Sequence, residues 1–596
     1  MSEDPKSVWR KPRATPRWLR VWAVMAAVIY LIAIAGLILT TRLRGWQDWL
    51  PALLAALGFS AVAAMVLLCL ARILRWLACW RNLRRALFGL ACLLTVIGLF
   101  YAEEDWRGQR AWVRFQREEE AKGVHFDLAS VEPPPVPDDQ NFALAPVIAS
   151  SYGQMLDRTG HEISPANDKL INRLRMFYYA APRNPPTNGI SNWSIGEKTD
   201  LRVYQQYYQS LGAQTNLFPV PVRPQTPAAD VLLALSRYDA VIEEVRQAGQ
   251  LPFSRFPLEY DKANPWQIVL PHLAALKQCA GVLSLRATAE EQAGQTEPAL
   301  ADVRLQFKLM DSVRQEPLMI SQLVRGALLH LLLQPVWEGL AQHQWSESQL
   351  AALDAELNRL DFLADYESGM RGDLVFMARE TGYLRTHPDQ FLHFYDNSGL
   401  GNLPVNPYSD ATMTLLAQGR MIPSGWFYQN QLGSARVLTE FYLPAADMPQ
   451  HTFAPALVRQ GYDAVKQASQ HLSPCNILEC LTLQWPVTFD FASKFAHAQS
   501  SVDLARVALA LERCRRAQGQ YPESLDALAP QFIAAVPHDI IGGQPLHYRR
   551  TDDGQFVLYS VGWNETDDGG VVVRSQSDPA AQDLSRGDWV WRYPAQ

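Results

Sequence analysis

The chain has 596 residues, 48% of them hydrophobic and 19% charged, and a formal net charge of −6 at pH 7. Residues 1–102 contain 13 Lys and Arg against 3 Asp and Glu, whereas the remainder contains 41 against 57, so a basic head of +10 precedes an acidic body of −16. The apolar and aromatic content excludes a disordered chain, and the acidity of the body argues against nucleic-acid binding.

Three uncharged apolar stretches predict transmembrane helices in the head, at residues 21–40, 49–71 and 86–102. Twenty helical residues span about 30 Å, the thickness of the hydrocarbon core of a bilayer. Six basic residues precede the first stretch, two lie in the first loop and five in the second. Because cytoplasmic loops are enriched in Lys and Arg, this asymmetry predicts a membrane protein with a cytoplasmic N-terminus and an extracytoplasmic body after residue 102.

The body is predicted to be mainly helical up to residue 490. Residues 103–140 are expected to form a juxtamembrane helix and a proline-rich linker that acts as an extended spacer. Residues 141–490 are expected to contain helical hairpins, with solenoid-like stacking left open; one helix ends near Gly294 and the next begins near Glu297. Proline-rich excursions at 181–227 and 385–430 interrupt the helical pattern.

Residues 491–596 are predicted to form a small α+β domain. A helix is expected over 492–518, followed by strands at 546–549, 556–560, 571–573 and 589–591. The predicted fold class is therefore an α-helical membrane anchor, a mainly α extracytoplasmic domain and a small C-terminal α+β domain.

Four short segments carry a family resemblance. They are Trp106–Trp112, Pro133–Ala143 (PPPVPDDQNFA), Ser254–Leu258 and Glu316–Leu318. In these segments the chain resembles an uncharacterised set of membrane-anchored bacterial proteins of the planctomycete and verrucomicrobial type. The resemblance covers most of the chain outside the first two membrane segments. It implies a location in the bacterial cytoplasmic (inner) membrane, and it implies no activity.

A second, partial resemblance rests on Arg515–Pro522, residues 537–545 and Val557–Gly562. These segments are similar to the globular end of type II secretion major pseudopilins, in which a helix packs on a small sheet whose last loop often binds calcium. Such a protein begins with a cleaved leader and a polymerising helix, whereas here the similar segments end a long anchored chain.

The pseudopilin resemblance implies a metal site in the loop after residue 562. Asn564, Asp567 and Asp568 occupy the matching positions. Calcium takes six to eight oxygen ligands, and carboxylates and amides supply them. The alternative is a solvated hairpin loop. Calcium is the one cofactor that the sequence suggests.

Few other residues suggest chemistry. Cys475 and Cys480 could form a disulfide, but a helix starting at Ser473 would point them apart, so buried free thiols are favoured. His387 and His393 are six residues apart, which is wider than common metal-ligand spacing. The sequence contains no nucleophile elbow, phosphate-binding loop or dinucleotide-binding fingerprint.

We therefore predict a non-enzymatic, membrane-anchored extracytoplasmic scaffold or interaction protein. Its expected partners are the lipid bilayer and other envelope proteins, with neither nucleic acid nor a small-molecule cofactor. The proline-rich excursions are the predicted contact surfaces. Two alternatives stay open: an envelope hydrolase acting on a polymer or peptide, which needs paired carboxylates or a nucleophile with its base, and a component of a type II secretion-like assembly.

Overall fold

The computed structural model describes residues 17–40, 46–150, 174, 177, 192–215, 217–262, 265–387, 390, 422–470 and 491–593. These residues are mostly helical, with few strands. The chain forms two compact units, one of residues 1–103 and one of residues 104–596. The predicted boundary between the mainly helical domain and the C-terminal domain, at 490/491, adjoins residues that the structure does not describe. The division of the second unit into these two domains therefore stays a prediction.

The first unit consists of long apolar helices. They are α1 (Arg17–Thr40), α2 (Trp46–Leu77) and the first part of α3 (Trp80–Glu120). Helices α1 and α2 pack together, and the Trp22 indole donates a hydrogen bond to the carbonyl oxygen of Ala61 (3.0 Å). Most of their other large apolar side chains are exposed. Long helices with exposed apolar surfaces suit a membrane anchor.

Among the described residues, four helices are long and apolar enough to cross a membrane. Three of them begin in the first unit. The fourth, Met319–Ala341, lies in the second unit and is mostly buried inside it. This helix is therefore a core element of the second unit, and length and hydropathy alone do not distinguish it from a membrane span.

The remaining α-helices of the described residues belong to the second unit. They are α4 (Pro146–Ala149), α5 (Leu201–Thr215), α6 (Pro227–Leu235), α7 (Asp239–Ala248), α8 (Pro271–Gln292), α9 (Thr296–Asp311), α10 (Met319–Ala341), α11 (Glu347–Leu357), α12 (Phe362–Thr386), α13 (Ser424–Val437), α14 (Pro455–Gln470) and α15 (Phe491–Gln518).

Local sequence explains several helix ends. Thr226 caps α6 by accepting a hydrogen bond from the backbone N–H of Ala229, and Pro227 fills the first turn. Ser346 and Gln349 form a reciprocal capping box at the start of α11. Gly294 has a φ of +74°, which favours glycine, in the turn between α8 and α9. The predicted hairpin around this glycine is confirmed.

Helices α10 and α15 lie at the centre of the second unit. Helix α10 contacts α8, α9, α12 and α15, and α15 also contacts α11 and the small sheet. Pro335 lies inside α10 and has no N–H to donate to the carbonyl oxygen of Leu331. The Ser284 hydroxyl of α8 donates a hydrogen bond to that oxygen instead (2.8 Å), so α8 compensates for the missing helical bond.

The C-terminal strands form two antiparallel sheets. The first has the order β3 (His547–Arg550), β4 (Phe556–Ser560), β7 (Trp589–Arg592), and the second pairs β5 (Val572–Arg574) with β6 (Gln582–Gly587). A short ribbon of β1 (Ala446–Asp447) and β2 (Thr452–Phe453) lies earlier in the chain. The predicted helix and four strands are confirmed to within one residue at each end, and β6 was not predicted.

The proline-rich segment before residue 141 lies against the second unit. Glu132 forms an ion pair with Arg255 (2.8 Å), and Asn141 pairs as a single parallel bridge with Phe253. Trp112 and Phe115, on the second half of α3, are also buried in the core of this unit. Residues 104–143 are therefore part of the second unit, whereas the sequence predicted an extended spacer for the proline-rich linker.

Candidate functional site

A cavity of about 310 Å³ lies in the second unit between α10 and α15. One wall of the cavity is formed by residues of α10 that recur every three or four positions and so share one helix face. The opposite wall is formed by residues of α15. The two helices approach closely at Gly326, where an added Cβ atom would be in ordinary van der Waals contact with the Cβ of Ala498 (3.8 Å). The lining residues are Trp193, Gln322, Leu323, Gly326, Ala327, Leu329, His330, Leu333, Lys494, Phe495, His497, Ala498, Ser501 and Leu584.

Aromatic rings form one wall of this cavity. The Trp193 indole lies 5.5 Å from the His330 ring and 6.3 Å from the His497 ring, which it stacks at 14°. Behind this wall, the rings of His497 and Trp589 are perpendicular, with their centroids 5.2 Å apart. Trp193 is fixed in place because its backbone N–H donates to Gln334 (2.6 Å) and its indole N–H donates to the His330 carbonyl oxygen (3.2 Å).

Both histidines of the wall are neutral at pH 7. Burial lowers the pKa of His330 to about 4, and the nearby Lys277 acts in the same direction. Burial lowers the pKa of His497 to about 3, and His330 adds to the effect, while a hydrogen bond with Gln582 opposes it. An imidazole with such a low pKa is a weak general base.

The cavity contains no activated nucleophile. The Ser501 hydroxyl donates to the backbone carbonyl oxygen of His497 (2.6 Å), one helical turn earlier. Asp and Glu are absent from the residues that line the cavity. The described lining is therefore suited to binding and lacks the base–nucleophile pair that a hydrolase needs.

Paired carboxyl groups with raised pKa values do occur elsewhere, on α8 and α9. Burial raises the pKa of Glu290 to about 7 and that of Asp302 to about 6. Arg286 lies 3.2 Å from the Glu290 carboxylate and 3.1 Å from that of Asp302, and Arg246 donates to Asp302 (2.9 Å). These carboxyl groups are 5% and 0% exposed, so they form a core ion-pair network and are closed to a substrate.

Three of the segments that carry the family resemblance meet in the structure. The Asn141 side chain donates to the Arg255 carbonyl oxygen (2.8 Å) and accepts from the Arg255 N–H (2.9 Å). The adjacent Phe256 ring stacks on His272 at 4.0 Å, and His272 contacts the Glu316 carboxylate (2.8 Å). These contacts give the residues of the three segments a packing role. The family resemblance stays a prediction.

The buried His272, Glu316 and Ser321 do not form a catalytic triad. The Glu316 carboxylate bonds both the histidine ring and the Ser321 hydroxyl. In a triad the histidine stands between the serine and the acid and removes the serine proton. Because the carboxylate occupies the middle position here, the arrangement satisfies buried polar groups and does not activate the hydroxyl.

The three residues predicted to bind calcium lie in one exposed loop. The Asn564 amide donates to the Asp568 carboxylate (2.8 Å). The Asp567 carboxylate accepts hydrogen bonds from the Tyr559 hydroxyl (3.1 Å) and the Gly569 N–H (2.9 Å). The described residues contain no group of three or more His, Cys, Asp or Glu arranged to hold a metal ion. The calcium site stays a prediction that calcium titration would test.

Other predicted residues are only partly described. Cys475, Cys480 and His393 lie outside the described residues, whereas His387 is exposed and stacks on Tyr383 at 4.4 Å. Cys279 and Cys514 are buried free thiols, and burial raises the pKa of Cys279 to about 12. Comparisons of the chain with protein-family models, curated proteins and solved structures find no match.

Proposed function

We propose that this chain is a non-enzymatic, membrane-anchored interaction protein of a bacterial inner membrane. Its second unit lies on the extracytoplasmic side and contacts another envelope protein through residues 217–224, which we call the 217–224 loop. The observation that carries this proposal is a set of apolar side chains presented to solvent by that loop.

Three apolar residues of the 217–224 loop are unusually exposed. Leu217 and Val220 are 44% and 38% exposed, and Val222 is fully exposed. Pro219, Pro221 and Pro224 occur in the same short segment and restrict its backbone. Exposed apolar side chains on a stiff segment are typical of protein contact sites, because little conformational freedom is lost on binding.

The 217–224 loop is firmly attached to the helices beneath it. Phe218 is buried and its ring lies 4.9 Å from that of Tyr208. The Arg237 guanidinium stacks on Phe218 at 4.7 Å and donates a hydrogen bond to the Leu217 carbonyl oxygen. Val220 packs so closely on Gly212 that a Cβ atom there would be 2.5 Å away. The exposed residues are thus held in fixed positions.

The distribution of basic residues supports the extracytoplasmic location. Residues 1–20 contain six Lys and Arg and residues 72–85 contain five, whereas residues 41–48 contain two. Three crossings from a cytoplasmic N-terminus would place residues after 102 outside the cytoplasm. Accessibility of a C-terminal tag to protease added to spheroplasts tests this sidedness; a tag cleaved only after lysis would contradict it.

Site-specific photo-crosslinking in living cells tests the contact surface. In one variant a benzophenone amino acid replaces Val222. In a second variant, the matched control, it replaces Asp552, an exposed residue of a hairpin turn. We expect a discrete adduct with one envelope protein from position 222 only, and its loss when Leu217→Asp is added. Equal adducts from both positions, or none from position 222, would overturn the proposal.

A further inference from the structure

We infer that four arginines on the second half of α3 bind the headgroups of anionic phospholipids at the surface of the membrane. They are Arg107, Arg110, Arg114 and Arg117, which we call the arginine stripe. The inference rests on the membrane anchor of the proposed function. It is independent of the 217–224 loop and of the side of the membrane on which the body lies.

The arginine stripe lies on one face of α3. Its residues are spaced by three, four and three positions, and at 100° per residue this spacing places them within about 80° of one another. All four are exposed, and Trp106, at the edge of the same face, is 60% exposed. The opposite face of α3 is buried in the second unit through Gly108, Trp112 and Phe115. The folded second unit therefore leaves the arginine stripe facing outward.

Most of the charge of the stripe is not neutralised by acidic side chains. Arg107 pairs with Glu104 (2.7 Å), whereas the other three arginines form no ion pair with a described residue. The Arg110 guanidinium instead lies over the Trp106 ring, 5.0 Å from its centroid. The residues after 102 carry a net charge of −16, so this face is a local exception. Guanidinium groups present paired N–H donors that match the oxygens of a phosphate, which is the anionic group of a phospholipid.

The stripe begins close to the surface of the membrane. Helix α3 is continuous over Trp80–Glu120, and its uncharged stretch ends at Ala102. At 1.5 Å per residue, Arg107 lies about 8 Å beyond that end, Arg110 about 12 Å and Arg117 about 22 Å. The headgroup layer of one leaflet is about 5–8 Å thick, and attraction to its charge falls off over a Debye length of about 8 Å. Arg107 and Arg110 are therefore within range of the headgroups, whereas Arg117 is beyond it.

Trp106 supports the same placement. It lies about 6 Å beyond Ala102 along α3, within the headgroup layer. Tryptophan is enriched at this depth because its ring is amphipathic. A headgroup layer accepts both the exposed indole and the cation that stacks on it, so the lipid surface accounts for the exposure of Trp106 and Arg110 together.

Site-specific photo-crosslinking in proteoliposomes tests the inference. The full-length chain is reconstituted in vesicles of equimolar phosphatidylglycerol and phosphatidylcholine, with a benzophenone amino acid in place of Leu99. Leu99 is exposed and precedes Arg110 by about three helical turns, so the probe lies on the face of the stripe. The matched control carries the probe at the exposed Ile97, which points about 140° away from Arg110. Mass spectrometry of the adducts gives the ratio of the two lipids.

We expect phosphatidylglycerol to exceed phosphatidylcholine by at least about fivefold among the adducts at Leu99, because one arginine near an anionic surface contributes about this preference. The two lipids are expected in equal amounts at Ile97. Arg110→Gln is expected to lower the ratio at Leu99 about fivefold, and Arg110→Lys to keep most of it. Arg117→Gln removes an exposed arginine of the same stripe that is out of range, and it is expected to leave the ratio unchanged.

Three results would overturn the inference. They are equal amounts of the two lipids at Leu99, which is the outcome if the stripe binds an acidic protein, equal losses in Arg110→Gln and Arg117→Gln, and a loss in Arg110→Lys as large as that in Arg110→Gln. Flotation of the proteoliposomes is measured first. A chain that does not float with the vesicles contradicts both the membrane anchor and this inference, whereas a chain that floats without a lipid preference contradicts this inference alone.

Discussion

Gly108 on α3 and Gly425 on α13 lie in direct backbone contact. A Cβ atom added to Gly108 would lie 2.3 Å from the Gly425 carbonyl oxygen, and one added to Gly425 would lie 2.0 Å from the Glu104 carbonyl oxygen. Hydrogen bonds flank the crossing, since the Gly425 N–H donates to the Asp105 carboxylate (2.8 Å). The two helices can approach this closely only because both residues lack a side chain.

Gly108→Ala is therefore expected to destabilise the second unit by about 1–3 kcal/mol, because the added methyl group meets backbone atoms that cannot rotate away. Thermal unfolding of the detergent-solubilised chain measures the effect. The matched control is Gly382→Ala on α12, where no atom lies within 4 Å of the added Cβ. That change is expected to stabilise by about 0.5–1 kcal/mol. Equal melting temperatures for the two variants would contradict the predicted crossing.

Asn141→Ala is expected to lower the free energy of unfolding by about 2–4 kcal/mol. The substitution removes a side chain that bonds both backbone groups of Arg255 and the N–H of Ala143 (3.1 Å), and it leaves buried partners unsatisfied. Denaturant unfolding measures the change. Asn358→Ala, at an exposed helix end, is the control and is expected to have a much smaller effect. Comparable losses in both variants would show that the Asn141 bonds contribute little.

Arg325 is a fully buried cation, and its guanidinium lies 3.1 Å from the Asp365 carboxylate. Arg325→Met is expected to cost about 3–5 kcal/mol, because it leaves a buried carboxylate without its nearest cation. The double variant Arg325→Met/Asp365→Asn is expected to recover most of the loss. Arg202→Met, which breaks an exposed pair with Asp200, is expected to cost about 0–1 kcal/mol. A double variant no more stable than the single one would contradict this account.

Asp503 makes stability depend on pH. Burial raises its pKa from 3.8 to about 7, while the Gln499 amide donates to one of its oxygens (3.2 Å). Because the pKa is higher in the folded state, the group stabilises the fold below about pH 4, and this contribution is lost as the pH rises to about 7. Asp503→Asn keeps a side-chain oxygen that can accept the Gln499 hydrogen bond, and it removes the negative charge.

We therefore expect Asp503→Asn to be more stable than the unmodified chain by about 2–4 kcal/mol at pH 8, with little difference at pH 4. Melting temperatures at both pH values measure this difference, and Asp552→Asn at an exposed turn is the control. Parallel pH profiles for Asp503→Asn and the unmodified chain would show that this carboxyl group does not titrate as described.

Sequence periodicity predicted the regular elements that stand between clear turn signals. The helix expected over 492–518 is Phe491–Gln518, and the strand expected over 556–560 is β4. Helix α5 was missed, because the density of prolines around it suggested an irregular excursion over 181–227. Strand β6 was missed because it contains a single large apolar residue, Leu584, and pairs only with β5.

The cavity could not be predicted from the sequence. His330 and His497 are far apart in the chain, and their proximity depends on the packing of α10 against α15. Gly326 and Ala498 carry the only local signal, since small residues on a helix face allow a gap or a close crossing. Sequence alone does not separate these two outcomes, because the side chains of the neighbouring turns decide which occurs.

Helix α10 also bears on how the chain is made. On the proposed topology, this segment must pass through the protein-conducting channel, although its length and hydropathy would allow release into the lipid. A charged residue inside a nascent helix disfavours lateral release, by about 2.5–3.5 kcal/mol for an arginine at the helix centre; Arg325 lies in the second turn of α10. Arg325 and Glu338, which the finished fold encloses, would thereby keep α10 from acting as a stop-transfer sequence and allow everything after it to be exported.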